Sequence, residues 1–241
     1  MGSWTEHPLA DRRTVMFAAD RAHAPLHGDF AMTGSTTHVF WRSPDPEASL
    51  VSALDRVAAT LEELPSQTRD AATASIGGVR DIYTSWFAPE SEGWSSIHFH
   101  LGAQLGSPFA SVLSAMTHTP AVLFCEYDQD AWGFQVFEDG RELATFWNFP
   151  ESVGEDPADC SVEPAAIASL FGVPVETVAP YLHHLAQEDD EDRKAFPEDE
   201  FSLTDHWVRV DFMRRLGMTY PDDARAGTRR VMIHESGSGG R

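Results

Sequence analysis

An α+β domain is predicted for this chain by three patterns: an amphipathic helix near residue 50, an aromatic β meander at 121–147, and helical periodicity after Pro150. His38-Val39-Phe40-Trp41 is a short strand by composition. Asp45 then supplies an N-cap, with Pro46 at the first helical position, and the helix runs to about Leu64 before Pro65. Its apolar residues Leu50, Leu54, Val57, Ala58, Leu61 and Leu64 recur at steps of three and four, which buries one face. Ile82 to Phe87 and Ser95 to His100 are β-like runs split by Pro89 to Gly93, and together they predict a hairpin. Ser107 and Pro108 open a second helix with Phe109, Val112, Leu113 and Met116 facing inward.

The meander follows. Strands at 121–127, 132–137 and 141–147 are separated by Asp128-Gln129-Asp130 and by Glu138-Asp139-Gly140-Arg141. Asp-Gly supplies the positive φ of a type I′ turn, so the second connection is a tight antiparallel hairpin. Strict alternation in the last strand sets Leu143, Thr145 and Trp147 on one face and Glu142, Ala144 and Phe146 on the other. Apolar residues on both faces predict a sheet that is mixed or antiparallel and covered on at least part of each side. Beyond it come short helices at 164–171 and 175–185, joined at Gly172, and a last helix from Thr204 or Asp205 to Gly217. The acidic runs 188–192 and 198–200 are exposed loops by composition. The expected organisation is therefore a poorly structured extension over 1–36, one domain over 37–221 with its helical part at 164–217, and a flexible tail over 222–241.

Charge narrows the functional classes. The 241 residues carry 17 Lys+Arg against 38 Asp+Glu, a formal net charge of −21. Such a surface repels phosphates, so neither nucleic acid nor a membrane is the expected partner, whereas a basic protein is. Pro164 to Leu182 has the spacing of a helix-turn-helix, with Ala168, Gly172 and Val178 in its key places. It holds no Lys or Arg, and Pro180 interrupts the would-be recognition helix, so a structural helix pair is expected. Cys125 and Cys160 are too few for a disulfide framework, and no apolar stretch approaches a membrane span. Arg12-Arg13 and the apolar run after them superficially resemble a twin-arginine export signal, but the run stops at Asp20. A cytoplasmic location is expected.

Few residues carry recognisable chemistry. The chain has no Gly-x-Ser-x-Gly, no phosphate loop, no His-Glu-x-x-His and no Gly-x-Gly-x-x-Gly. No cofactor is expected, and an enzyme is the less favoured class. Schiff-base chemistry could run only through Lys194, the single lysine, which lies in an acidic loop expected to be exposed. Glu126, Asp128 and Asp130 crowd one strand end as a possible acid/base group. His98 and His100 leave the same face of a strand, and with Asp128 they form the one metal-site alternative, a metal-dependent hydrolase. The polar face of a half-buried strand is the favoured reading of the two histidines.

The segment Val122 to Leu143, with its Asp128-Gln129-Asp130 turn, aromatic strand and Asp139-Gly140 turn, is followed by Asn148-Phe149-Pro150 and then helices. Over about 121–217 this resembles uncharacterised bacterial proteins found near polymorphic toxins. The resemblance implies an immunity-type role, the neutralisation of a toxin or enzyme partner, and attaches no catalytic motif. An acidic surface suits a basic partner. The candidate contact residues are Glu188, Asp189, Asp190, Glu191 and Asp192, which would steer encounter, and Trp94, Trp132 and Trp207, which would anchor it. For Trp147, on a central strand, a core role is expected. The remaining alternative is an acidic subunit of a larger assembly.

Overall fold

The structure, a computed structural model, describes residues 4–8, 13–19, 36–63, 81–87, 93–99, 103–128, 130–185, 192–220 and 228–235. Among them, nine strands form one antiparallel sheet: β1 (Trp4–Pro8), β2 (Arg13–Ala19), β3 (Thr36–Trp41), β4 (Asp81–Phe87), β5 (Ser95–Phe99), β6 (Ala121–Tyr127), β7 (Ala131–Glu138), β8 (Arg141–Trp147) and β9 (Thr228–Glu235). Their spatial order is β1-β2-β9-β4-β5-β3-β6-β7-β8. The helices are α1 (Pro46–Glu63), α2 (Ala103–Thr117), α3 (Pro164–Phe171), α4 (Val175–Val178) and α5 (Val208–Arg215). The fold is α+β.

Two cores follow from the pleat. Val39, Trp41, Ile97, Leu123 and Phe137 meet Leu50, Ala53, Leu54, Val57, Phe109 and Leu113 of α1 and α2 on one side. On the other, Phe40, Phe124, Trp132, Phe134, Val136 and Phe146 meet Ile167, Phe171, Tyr181, Phe212 and Met213 of the C-terminal helical layer. The sheet is thus sandwiched at β3 and β5–β8, as apolar residues on both faces of its strands require. The start of α1 is capped as its sequence predicts, the Ala48 N–H donating to Asp45 Oδ1 at 3.0 Å.

The sequence expectations need five corrections. The chain ends are not merely extension and tail: β1, β2 and β9 extend the sheet, with Val15 opposite Ile233 and Ile82 opposite the same Ile233. Pairing partners 218 and 151 residues apart leave no local signature. Helix α2 begins at Ala103, so Pro108 lies inside it rather than at its start. The helix after Gly172 is a single α turn ending at Val178, because Pro180 lacks an N–H and the chain tightens to a 3₁₀ turn over Ala179–Tyr181. The last helix starts at Val208, since Asp205 Oδ1 accepts the Trp207 N–H and holds a separate turn first. Finally, β8 carries a bulge: Ala144 pairs with Val136 but Glu142 with Phe137, which leaves Leu143 unpaired and 53% exposed. Glu142 therefore joins Gln135 and Thr145, which both donate to it, instead of Ala144 and Phe146.

The Asp139-Gly140 hairpin forms with φ of 47° and 81°. It is pinned to α2, for Ser111 Oγ donates to the Gly140 carbonyl at 2.8 Å and the Gly140 N–H donates to Ser114 Oγ at 3.0 Å. Gly140→Val should cost about 2 kcal/mol in denaturant unfolding, because a β-branched residue resists positive φ. A Cβ there would also stand 3.3 Å from Ala115 Cβ. An unchanged unfolding midpoint would remove this turn from the stability argument.

Candidate functional site

Strand β6 is buried throughout except for its last residue, and Glu126 is the one ionisable carboxylate within it. A charge there needs a partner, and α5 delivers it. Arg209, second in the helix and otherwise flanked by Val208 and Val210, directs its guanidinium to the sheet. Its Nη2 donates to Glu126 Oε2 at 2.6 Å and its Nη1 to the His206 carbonyl at 2.7 Å. The pair is nearly enclosed, with side chains 2% and 11% exposed. Trp207 lies against the guanidinium, 4.6 Å from ring centre to Cζ.

His206 completes the cluster. Its Nε2 is 3.4 Å from Glu126 Oε1 and its Nδ1 is 3.5 Å from Asp205 Oδ1. Burial holds the imidazole below its ordinary protonation range, and Arg209 adds to that effect, while Glu126, Asp205 and Asp130 oppose it. Across the same face, register sets His38 of β3 opposite His98 of β5, and their rings stack 4.0 Å apart at 24°. Tyr220 lies 5.0 Å from His38 and 5.8 Å from Trp207, so one aromatic row joins the two histidine sites.

This arrangement alters the sequence expectations. Glu126 is committed to Arg209 rather than free for proton transfer, and Asp128, at φ 48°, occupies an exposed turn. His98 shares a row with His38 and Phe124, so Asp128 lies two strands away and four residues further on, roughly 16 Å between Cα atoms. Those two cannot ligate one metal. Nor do the stacked rings of His38 and His98 converge on one, because imidazole lone pairs lie in the ring plane. His100 lies outside the described residues, and among those described no group of three or more His, Cys, Asp or Glu is placed to hold a metal ion.

Of the expected partner anchors, Trp94 and Trp132 are buried and pack on Phe171 and on Phe134, Phe146 and Phe212. Enclosed rings present no anchor, which leaves Trp207, half-buried. Trp147 is half-buried against the α1/α2 core. Residues 188–191 lie outside the described residues, and Asp192 is exposed. In the run 198–200, Glu198 and Glu200 are exposed but Asp199 is buried. It accepts from Tyr181 Oη at 2.7 Å, Phe196 N–H at 3.0 Å and Arg215 Nη2 at 2.7 Å. This second polar centre raises the Tyr181 hydroxyl well above its usual range, chiefly through burial and then through the Asp199 hydrogen bond.

Sequence reasoning missed Arg209, His206, His38 and Tyr220. One signal was available: an arginine between valines on an inward helix face requires a buried acid, and Glu126 inside an apolar strand requires a buried base.

A further feature is electrostatic. From 142 to 192 the sequence has twelve carboxylates and neither Lys nor Arg. Glu142, Glu151, Glu155, Asp156, Asp159, Glu163, Glu176 and Asp192 are exposed. Burial raises the Cys160 thiol, and Glu155, Asp159, Asp156 and Glu142 raise it further, which brings the β8 carboxylate and those of the following loop into one local field. Among the described residues no helix is long and apolar enough to cross a membrane. No family model matches the chain, and no curated protein or solved structure matches it.

Proposed function

We propose that this is a cytoplasmic protein-binding protein of the immunity type, which neutralises a basic toxin or enzyme partner through an acidic face. The observation that carries the proposal is the one-signed segment 142–192, in which eight described carboxylates are exposed and the sequence has neither Lys nor Arg. Such a field steers an oppositely charged protein into encounter, and salt screens it. The resemblance of 121–217 to proteins found near polymorphic toxins supports the same reading. So does the commitment of Glu126 to an ion pair, which leaves little acid/base chemistry at the buried cluster.

The test begins with cross-linking in the native cell and identification of the linked protein, followed by association kinetics at low and high salt. The rate should fall as salt rises. Amide replacement of Glu188, Asp189, Asp190, Glu191 and Asp192 should slow association and flatten that dependence. The same change at Glu151, Glu155, Asp156 and Asp159 should act likewise, with unfolding midpoints unchanged because solvated carboxylates contribute little stability. An acidic partner, or rates indifferent to both salt and neutralisation, would defeat the proposal.

A further inference from the structure

His206 sits where a proton would change several contacts at once. Glu126 faces it from β6, Asp130 from the β6–β7 turn, and Asp205 and Arg209 from its own segment. Its ring nitrogens are 3.4 and 3.5 Å from the two nearest carboxylates, longer than the ~2.7–2.9 Å of a charge-assisted bond. Glu126 already receives Arg209 at 2.6 Å. The imidazole is wedged beside an occupied carboxylate with its side chain 17% exposed, and burial disfavours its charged form.

The turn that carries it is less deeply buried than the helix it precedes, and Arg209 Nη1 holds it through the His206 carbonyl. Asp205, His206 and Trp207 are each half-buried, whereas Val208, Val210, Phe212 and Met213 immediately beyond are core. Trp207 joins the turn to the rest of the row, with its ring 5.4 Å from His206 and 5.8 Å from Tyr220. Tyr220 in turn meets His38, and His38 stacks on His98. We propose that the turn 205–207 is an acid-sensitive latch, closed over the His38–Tyr220 row by a neutral His206 and released when His206 takes a proton. A second positive charge beside Arg209 competes for Glu126 within an enclosed site, and swinging the turn outward returns the imidazolium to water. The sign follows from linkage: a closed turn that binds the proton more weakly than an open one loses population as pH falls through the ordinary histidine value of 6.5. Helix α5 stays in place, held by its own apolar face.

Fluorine NMR of the whole chain labelled with 5-fluorotryptophan tests this. The chain has seven tryptophans, and Trp207→Phe identifies the relevant resonance. Between about pH 7.5 and about 5.5 the Trp207 signal should move toward its solvent-exposed position. The midpoint should lie below 6.5 and coincide with the titration of His206 followed through its imidazole carbon. His206→Gln should hold the Trp207 signal fixed across that range. An equal movement in His206→Gln, a His206 midpoint above 6.5, or a Trp207 ring that becomes more enclosed in acid would each overturn the latch. If His206→Gln does not fold, agreement or disagreement of the two wild-type midpoints decides.

Discussion

Gly133→Ala is expected to lower stability by about 3 kcal/mol, a large share of the ~5–15 kcal/mol that holds an ordinary domain together. Gly133 lies inside β7, opposite Trp147 of β8 and Cys125 of β6. A Cβ at this position would come within 2.4 Å of the Phe146 carbonyl oxygen and 2.6 Å of Trp147 Cδ2 and Cε3. The indole therefore lies across the strand at the one point without a side chain, and glycine is required by close approach rather than by a turn. Relief has two components of different stiffness. The indole can move, but the carbonyl belongs to the ladder between β7 and β8 and cannot retreat without breaking it. Adding Trp147→Ala to Gly133→Ala should recover only part of the loss, and a double-mutant cycle by urea unfolding measures that part. Full recovery would show that the ring alone demands the glycine, and a harmless Gly133→Ala would show that the strands separate more easily than their packing implies.

Local chemistry was legible and distant pairing was not. The Asp45 cap, the β meander and the Asp139-Gly140 turn are written in residues within four positions of one another, and each appears where its sequence predicts. The β1–β2–β9 addition depends on Val15 meeting Ile233, which no local window contains. The short fourth helix was foreshadowed by Pro180, a residue that opposes a recognition helix and also ends α4. The bulge at Leu143 overrode strict alternation because one extra residue reverses the faces before it, taking Glu142 to the side of Thr145. Trp94 and Trp132 show the same limit for function. Composition marks tryptophan as a good anchor, but only the fold decides whether the ring is spent on the core. At the buried cluster, His98 and Glu126 were visible as unusual strand residues, while His206 and Arg209 gained meaning only through a contact 83 residues away in sequence.

Arg209→Met should prove the costliest polar substitution, destabilising by about 3–5 kcal/mol near neutral pH, because it leaves Glu126 enclosed without its counter-charge. Met matches the length of the arginine stem, so little of that loss is cavity. Two further observations separate charge from packing. Glu126→Gln alone should also be costly, since it strands a guanidinium that is 2% exposed. The double variant Glu126→Gln/Arg209→Met should be less destabilised than Arg209→Met, because no buried charge remains. The loss should also depend on pH in a definite direction. Arg209 is among the groups that hold His206 below its ordinary range, and Glu126 pulls it upward. Once Arg209 is removed and Glu126 is left facing His206, the folded imidazole binds its proton more tightly and becomes a substitute cation. A raised folded value adds stability as pH falls below it, so the penalty of Arg209→Met should shrink from about pH 8 to about pH 5.5. Guanidinium unfolding of both proteins at the two pH values measures this difference. A penalty that stays constant, or grows in acid, would mean that His206 is not coupled to the pair.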